Sequence, residues 1–510
     1  MRILTLIFVL VAMLGLTTAQ PPASENVSVL LEKAKNAGQK GNFDEAARLY
    51  REILTQKPGW LPAEFDLALT YHFSGKFPEA ITWFNKVIRL DSTIANAYFL
   101  SGIDYYQINQ YHSAIASLKK ALELQPQNRE ARFYIAASEY QLNDFGNAAL
   151  AYLDQIQFDS QKGDPYFQLV QCYERLEQTA VNEIESSPKA NYFVLLLEAE
   201  KNIAHHQSKD AESAAKVAAN IDSAAPEAWY VLGKAFQQEG EQQIAPAQFQ
   251  HARYTEKNIS PQFLGIIDAV LNTEGACATA GDFATAFCRA SNGDLSEATR
   301  LVLAITRSNP QDARALYWSA QLYRQLAKKA TATLAQISPD SPNLLKLYAR
   351  AYEGAGQRNQ AAGAYEQALR LDGQDASTLI EYADFRSRGQ EFDKAVPLLE
   401  KAVALSPYDT QALTLLGHAY LESGQYEHAV PCFAKVLKAD PGNEKVRLQL
   451  SDALHALNRL REAIAVLQAA PNDSSGRIAY MLATYYSRVG ETQKARQMMR
   501  LYEQQRKRGQ

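Results

Sequence analysis

Hydrophobic residues along this chain fall into pairs of helical stripes separated by short turns, as residues 410–443 illustrate. The apolar positions of a first predicted helix follow the 3.6-residue helical period: Leu413, Leu416, Gly417 and Tyr420. Those of a second predicted helix do the same: Tyr426, Ala429, Phe433 and Val436. Gly424 separates the two helices, and Asp440-Pro441-Gly442 ends the second, because proline cannot continue the helical hydrogen bonding.

Small residues within these stripes indicate how the helices pack. Gly417 and Ala429 let two helices approach closely, while Tyr420 and Phe433 fill the space beside them. Neither helix buries its apolar stripe alone, so neighbouring pairs must stack on one another. Residues 226–259 carry the same pattern. The chain is therefore predicted to be an all-α stack of helix pairs.

The helix pair recurs at steps of about 34 residues. An aromatic residue or leucine, followed three positions later by alanine, marks seven of the second helices: Phe43/Ala46, Phe77/Ala80, Tyr111/Ala114, Phe145/Ala148, Phe392/Ala395, Tyr426/Ala429 and Leu460/Ala463. This pattern resembles the tetratricopeptide repeat family, over nearly the whole chain after residue 26. The resemblance implies a right-handed α-solenoid of about fourteen helix-turn-helix units. The units are predicted to begin at Val27, Leu61, Ala95, Arg129, Gly163, Tyr192, Pro226, Thr279, Ala313, Pro342, Ala376, Thr410, Glu444 and Gly476.

Two of these units, those that begin at Gly163 and Ala313, are shorter than the rest. In each, a Tyr-x-x-Leu-x-x-x-Ala sequence continues through the place where the other units have a turn, starting at Tyr173 and at Tyr323. We therefore predict either longer, poorly broken helices or tight turns there. Because both short units have the same neighbours, we also predict a duplicated block of several repeats.

The spacing of the units predicts two arms joined by a middle region. The predicted segments are a signal peptide at 1–19, a linker at 20–26, an N-terminal arm at 27–259, an irregular middle segment at 260–290 that overlaps the start of the next repeat, and a C-terminal arm at 291–510 with a terminal capping helix. The middle segment is expected to hold one extra helix at 261–272.

The first residues have the features of a secretory signal peptide. Arg2 supplies the positive charge, residues 3–16 are apolar, and Thr17-Thr18-Ala19 provides small residues for cleavage before Gln20. No cysteine lies near that point, which disfavours a lipid-anchored precursor. We expect an exported protein, periplasmic or secreted, with an uncleaved membrane anchor as the alternative. No other segment approaches the roughly 20 apolar residues of a membrane span, so none is expected in the mature chain.

The charge balance disfavours nucleic acid as a ligand. Lys and Arg total 52 against 56 Asp and Glu, a net charge of -4, and 47% of residues are hydrophobic. Nucleic-acid binding needs a basic patch that neutralises phosphates. The one basic cluster, Arg506-Lys507-Arg508, is interpreted as a solvated end of the last helix.

The 4 cysteines divide into one candidate pair and two single residues. Cys277 and Cys288 lie close in sequence within the irregular segment, so either a disulfide in an oxidising compartment or two buried thiols would fit them. Cys172 and Cys432 are expected to be core residues. His205 and His206 are adjacent, so on a helix they point about 100° apart and cannot easily share a metal.

No catalytic, metal-binding or nucleotide-binding motif occurs in the sequence. We therefore expect no enzymatic activity, no cofactor and no metal. An unrecognised active site within 282–294 is the enzymatic alternative, and it would require clustered, buried carboxylates with raised pKa values.

The resemblance implies a ligand groove lined by the first helices, at positions five and twelve of each unit. The residues there are mostly aromatic in the N-terminal arm: Phe65, His72, Phe99, Tyr106, Phe133, Tyr140 and Phe167. Such rings would give an apolar peptide or helix a large contact area at low entropic cost. Packing between neighbouring units is the alternative role for them.

The predicted groove of the C-terminal arm is polar and of mixed charge. Its positions include Lys346, Arg350, Glu353, Asp384, His418, Asp452 and His455. The carboxylate clamp of chaperone-binding members is not reproduced, since Leu31 and Lys35 stand at the corresponding positions of the first unit. These features favour a non-catalytic, exported scaffold that binds a protein or peptide in the cell envelope. A glycan- or polymer-binding subunit of an envelope export system is the alternative. The partner and the oligomeric state do not follow from the sequence.

Overall fold

A computed structural model of the 510-residue chain describes residues 25–158, 163–187, 190–257, 263–271, 282–470 and 476–508. These residues form helices and turns and contain no β-strand. The first helices in chain order are α1 Glu25–Gln39, α2 Phe43–Gln56, α3 Leu61–Phe73, α4 Phe77–Leu90, α5 Ala95–Gln107, α6 Tyr111–Leu124, α7 Arg129–Gln141, α8 Phe145–Phe158 and α9 Gly163–Ser186. The next are α10 Asn191–Ala204, α11 Ser208–Ile221, α12 Pro226–Glu239, α13 Ile244–Glu256, α14 Ile266–Leu271, α15 Asp282–Ser291, α16 Leu295–Ser308, α17 Ala313–Ile337 and α18 Pro342–Gly354. The last are α19 Arg358–Leu371, α20 Ala376–Arg388, α21 Phe392–Leu405, α22 Thr410–Glu422, α23 Tyr426–Ala439, α24 Glu444–Ala456, α25 Leu460–Gln468, α26 Arg477–Arg488 and α27 Thr492–Arg508.

The helices confirm the predicted all-α solenoid of helix-turn-helix units. Ten first helices begin at the predicted residue: Leu61, Ala95, Arg129, Gly163, Pro226, Ala313, Pro342, Ala376, Thr410 and Glu444. Three others begin one or two residues away, at Glu25, Asn191 and Arg477. The predicted start at Thr279 lies outside the described residues, and α15 begins at Asp282.

Local chemistry fixes where the helices begin. Several first helices follow an Asp or Asn whose side chain accepts a hydrogen bond from a first-turn amide: Asn128, Asp312, Asp375, Asp409 and Asn443. Each ordinary turn between the two helices of a unit contains a residue with positive φ, where glycine and asparagine are favoured. These residues are Gly41, Gly75, Asn109, Asn143, His206, Gly240, Gly293, Gly356, Gln390, Gly424, Asn458 and Gly490.

Within a unit, the two helices touch at a glycine. Gly417 of α22 faces the fully buried ring of Phe433 on α23, and a Cβ on Gly417 would lie 2.6 Å from Phe433 Cε1. Gly233 of α12 and Phe249 of α13 repeat this contact, with 2.4 Å between the built Cβ and Cε1. The close approach predicted for Gly417 is therefore present, because a side chain there would overlap a ring.

The two short units form single long helices, the first of the two predicted alternatives, with no tight turn within 163–186 or 313–337. Helix α9 has 24 residues and α17 has 25, and neither is interrupted by a turn. They begin 150 residues apart and form the most extensive helix–helix contact among the described helices. The start of α9 meets the end of α17, since a Cβ on Gly163 would lie 2.8 Å from Leu334 Cδ1. The two helices are therefore antiparallel.

The chain forms two compact units, and their division differs from the predicted arms. The first unit is Met1–Tyr106 with Tyr111–Leu347, and the second is Gln107–Gln110 with Tyr348–Gln510. The division falls after Leu347, not in the segment 260–290 where we expected the boundary. The reason is that α9 and α17, from the two sides of that segment, contribute to one hydrophobic core.

Several predictions fall wholly or partly outside the described residues. These are the signal peptide at 1–19, most of the linker at 20–26, Cys277, and the ends of the predicted middle helix, of which α14 covers residues 266–271. Among the described residues, no helix combines the length and the apolar character needed to cross a bilayer.

Candidate functional site

In the first compact unit, three helices that begin a repeat carry the predicted aromatic positions. Helices α3, α5 and α7 each place one residue at position five and one at position twelve, and all six side chains are half-buried. We call these residues the N-terminal first-helix surface: Phe65, His72, Phe99, Tyr106, Phe133 and Tyr140.

The position-five rings rest against the second helix of their own unit. Phe65 meets Phe84 with ring centroids 5.9 Å apart, and Phe133 meets Tyr152 at 6.1 Å, both edge to face. Phe99 packs against the buried residues of two neighbouring clusters. One side of each ring therefore serves packing between helices, and the other side remains partly exposed.

The position-twelve rings link successive elements. Tyr106 of α5 contacts Tyr134 of α7 with ring centroids 5.4 Å apart. Tyr140 meets Phe145 at the start of α8, at 5.1 Å, and Arg175 Nε donates a hydrogen bond of 3.4 Å to Tyr140 Oη. These contacts hold the rings in place, so the surface is preorganised.

His72 pairs with a buried carboxylate on the next first helix. Its Nδ1 lies 2.5 Å from Asp104 Oδ1 of α5, and the Asp104 side chain is fully buried. Burial raises the pKa of the Asp104 carboxyl, and the hydrogen bond from His72 opposes that rise. Asp104 Oδ2 has no hydrogen-bond partner among the described residues. The pair therefore ties α3 to α5 beneath the aromatic rings.

Phe167 is not part of this surface, contrary to the prediction. Its ring is only 1% exposed, and Lys346 Nζ lies 4.4 Å from the ring centroid. The cause is the long helix α9, on which Phe167 is packed into the core of the first unit. Lys346 is itself 2% exposed, so it does not line an open groove either.

Two later helices of the first compact unit, α10 and α12, are the first helices of their repeats. Both are covered by helix α17 of the same chain. We call their α17-facing residues the occupied first-helix surface: Glu200, Glu227 and Tyr230. Arg314 Nε of α17 lies 2.7 Å from Glu227 Oε1, and Trp318 Nε1 donates to the same oxygen at 3.1 Å.

Further contacts along α17 complete this cover. Tyr317 Oη donates to Glu200 Oε1 at 3.4 Å, and Arg324 Nη1 lies 3.8 Å from Glu200 Oε2. The Trp318 and Tyr230 rings are 5.9 Å apart. Burial raises the pKa of Glu227, and the charge of Arg314 counteracts it. A helix with aromatic and basic side chains thus fills a first-helix surface of this chain.

The polar positions of the second unit are largely paired with one another. Arg350 holds Glu381 in two hydrogen bonds of 2.9 and 2.8 Å, and Arg388 pairs with both Glu353 and Asp384. Farther along, the His418 ring lies 6.2 Å from that of Phe392, and the His455 ring stacks on Tyr485 at 5.1 Å. Burial raises the pKa of Asp452. The mixed lining is therefore a set of local contacts without an excess of one charge.

The cysteines and the segment 282–294 add no catalytic arrangement. Cys172 and Cys432 are free, buried thiols. Cys288 is disulfide-bonded, whereas Cys277 lies outside the described residues. Asp294 caps α16 by accepting a hydrogen bond from the Glu297 amide at 3.1 Å. Within the described ranges, no group of three or more His, Cys, Asp or Glu side chains could hold a metal.

The sequence alone did not identify the buried carboxylates. Asp104, Glu200 and Glu227 are each at most 5% exposed. One signal was available for Asp104, a carboxylate that directly follows Ile103 and lies one helical turn after Leu100 on the same helix. No comparable signal marked Arg314 and Trp318 as the residues that reach Glu227.

Comparison with known proteins settles the family. Tetratricopeptide repeat models match residues 31–93, 99–165 and 348–410, and also 388–433 and 421–485, together more than half of the chain. This chain belongs to the tetratricopeptide repeat family. Its repeats are those of a protein-interaction scaffold.

The relatives cover only part of this tetratricopeptide repeat protein. BBSome complex member BBS4 from Bos taurus is 27% identical over 203 residues, which is 39% of this chain and 39% of BBS4, well under two thirds of that relative's length. A MamA MSR-1 structure is 26% identical and covers 32% of this chain and 98% of its own, with a TM-score of 0.30. MamA 41-end from Desulfovibrio magneticus RS-1 is 18% identical over 33% of this chain and 96% of its own, at a TM-score of 0.31.

Proposed function

We propose that this protein is exported and binds a partner protein of the cell envelope through its N-terminal first-helix surface. The mechanism is complementarity of shape and side chains, without covalent chemistry. The observation that carries the proposal is the packing of α17 over α10 and α12, because there a helix already lies on a first-helix surface of this chain.

The ligand class follows from comparing the two first-helix surfaces. The occupied surface offers carboxylates, and α17 brings Arg314, Arg324 and Trp318 to them. The N-terminal surface instead presents half-buried rings, while Asp104, the buried carboxylate beneath them, is already engaged by His72. Its ligand is therefore an amphipathic helix whose contact face is mainly aliphatic or aromatic, since burial of apolar area is the main gain available there.

Export is supported by the sequence of residues 1–19, with their positive charge, apolar stretch and small residues before Gln20. Amino-terminal sequencing of the protein recovered from envelope and medium fractions tests it. A chain that begins at Gln20 is expected. Recovery of an intact Met1 chain from the cytoplasm would contradict export but leave the binding surface open to its own test.

The binding test places a photocrosslinking phenylalanine analogue at Phe99 and at Tyr254. Phe99 lies on the surface, whereas Tyr254 is a 67% exposed aromatic residue on α13 and serves as the matched control. A partner protein crosslinked from Phe99 and not from Tyr254 is expected. Its purified binding segment is then titrated against the wild type and against the double variant Phe99→Leu/Phe133→Leu, with Tyr254→Leu as control.

The double variant is expected to weaken binding at least about tenfold, because each substitution removes ring area while leucine preserves the packing below it. Circular dichroism melting checks that the fold persists. Equal affinity of the double variant and the wild type would overturn the proposed surface. Retardation of the protein in polysaccharide affinity gels that depends on Phe99 and Phe133 would instead support the glycan-binding alternative.

A further inference from the structure

The last described repeat differs from the rest of the chain in charge. Residues 476–510 contain eight basic side chains and two acidic ones, Glu491 and Glu503, which gives this stretch a net charge of +6. Because the whole chain carries -4, residues 1–475 carry -10. A charge difference of this size within one chain marks a region suited to an anionic partner.

Two basic side chains of α27, those of Arg496 and Arg500, point away from the repeat core. Ala495, Met498 and Tyr502 form the side of α27 that contacts its neighbours, and they are buried or half-buried. Arg496 and Arg500 are exposed and lie one helical turn apart on the opposite side.

Part of this charge, carried by three arginines, is uncompensated among the described residues. Lys494 pairs with Glu491 at 2.7 Å. In the part of the chain that the structure describes, no ion pair or hydrogen bond engages the side chains of Arg496, Arg500 or Arg506. These three guanidinium groups are therefore available to an external anion.

Exposed apolar side chains lie among these charges. Met499 is 37% exposed and Leu501 is 39% exposed, both beside Arg500. The surface is thus basic but not purely polar, which differs from the polar outer face expected of a capping helix.

We propose that this surface, formed by Arg496 and Arg500 with the exposed Met499 and Leu501 on either side of Arg500, docks onto a membrane that contains anionic phospholipid. Guanidinium groups attract the headgroup phosphates, while the Met and Leu side chains enter the boundary between headgroups and acyl chains. A nucleic acid would use the arginines but would give the aliphatic side chains little to contact. The combination of both residue types therefore favours a lipid surface.

The test measures sedimentation of the full chain with vesicles. One set is phosphatidylcholine alone, and the other contains phosphatidylglycerol at about one third of the lipid. Because residues 1–19 are apolar, the readout is the difference between anionic and neutral vesicles. We expect at least about tenfold tighter binding to the anionic vesicles at low salt, and loss of most of that difference at high salt because of screening.

Three variants locate the binding surface. Arg496→Glu/Arg500→Glu is expected to abolish the preference for anionic vesicles, and Met499→Ser/Leu501→Ser to weaken binding severalfold at every salt concentration. The matched control is Lys119→Glu/Lys120→Glu, which makes the same charge change on exposed residues of α6 and should retain the preference. All altered side chains are exposed, so the melting temperature should change little.

The proposal fails if the Arg496/Arg500 variant sediments like the wild type, or if the Lys119/Lys120 control loses the preference equally. It also fails if the wild type binds fluorescent DNA but not anionic vesicles, since the surface would then recognise nucleic acid. None of these outcomes depends on the N-terminal first-helix surface, so the proposed partner binding is judged separately.

Discussion

Tyr173 and Tyr323 occupy equivalent positions in two long helices, and their rings stack on each other with centroids 6.4 Å apart and an interplanar angle of 22°. The two residues are 150 positions apart, as are the starts of α9 and α17. In an antiparallel pair of related helices, contact between equivalent residues places an approximate twofold axis between them. The two long helices thus pack against each other with approximate twofold symmetry, as the predicted duplication would require.

Replacing either tyrosine should destabilise the first unit. Both side chains are at most 1% exposed, and Tyr173 Oη and Thr299 Oγ1 share a hydrogen bond of 2.5 Å. We expect Tyr173→Ala and Tyr323→Ala each to lower the free energy of unfolding by about 3–5 kcal/mol, and the double variant to reveal a coupling of about 0.5–1.5 kcal/mol from the stacked pair.

Tryptophan fluorescence during urea unfolding measures this effect selectively. All four tryptophans belong to the first unit: Trp60, Trp83, Trp229 and Trp318. Tyr254→Ala is the control, because it makes the same change in the same unit at a 67% exposed residue. Additive losses in the double variant would show that the two rings do not interact.

Gly417→Ala should destabilise the second unit. A Cβ there would lie 2.6 Å from Cε1 of Phe433, whose ring is fully buried and cannot move without disturbing α23. We expect a loss of about 1–3 kcal/mol from overpacking, measured by far-UV circular dichroism and by hydrogen exchange of 410–439. Phe433→Leu in the Gly417→Ala background should recover part of it.

Gly363→Ala provides the opposite case on another helix of the second compact unit. Gly363 lies within α19, and no atom lies within 4 Å of a Cβ built on it. Alanine is favoured over glycine in a helix, so this variant should gain about 0.5–1 kcal/mol. If Gly417→Ala and Gly363→Ala change the free energy of unfolding in the same direction, the contact between Gly417 and Phe433 does not determine the effect of an added Cβ.

The residues at which most helices begin could be predicted from the sequence, because each helix start depends on residues near one another in the chain. The aromatic–alanine spacing, the capping Asp or Asn and the glycine turns are all local. The long helices were also predicted, as one of two alternatives, since the turn residues are missing near Tyr173 and Tyr323. Their mutual packing was not, because a contact between residues 150 positions apart leaves no periodic trace in a single sequence. The predicted boundary at 260–290 differed from the structure for that reason.

The N-terminal first-helix surface could likewise be predicted only in part, because tertiary packing is not visible in the sequence. Helical position correctly placed Phe65, Phe99 and Phe133 at comparable, half-buried sites. Phe167 has the same position in its unit, yet the long helix on which it lies buries it. Periodicity determines which way a side chain faces on its helix. Tertiary packing determines whether anything covers it.

Asp104→Asn should alter how stability depends on pH. Burial holds the pKa of Asp104 above its ordinary value of 3.8. A carboxyl whose pKa is raised in the folded state binds its proton more tightly there, so its contribution to stability is full below pH 3.8 and declines as pH rises through the folded pKa. We therefore expect the stability of the wild type relative to Asp104→Asn to fall with rising pH across that window.

Urea unfolding from acidic to neutral pH, followed by tryptophan fluorescence, measures this difference. Asp44→Asn is the control, because Lys76 lowers the pKa of the exposed Asp44 carboxyl, and the pH trend should then have the opposite sign. A wild type that gains stability over Asp104→Asn as pH rises would show that the hydrogen bond from His72 outweighs the burial of Asp104.

The cysteines should give a thiol count of two in the unreduced, unfolded protein. Cys172 and Cys432 are free, and burial raises the pKa of both thiols, so alkylation requires unfolding. We propose Cys277 as the partner of the disulfide-bonded Cys288, which would close a short loop and contribute about 3 kcal/mol in the loop-entropy description. Mass spectrometry after denaturing alkylation should then find two labels in the wild type and three in Cys277→Ser. Four labels in the unreduced wild type would rule out the disulfide, and two labels in Cys277→Ser would assign Cys288 a different partner.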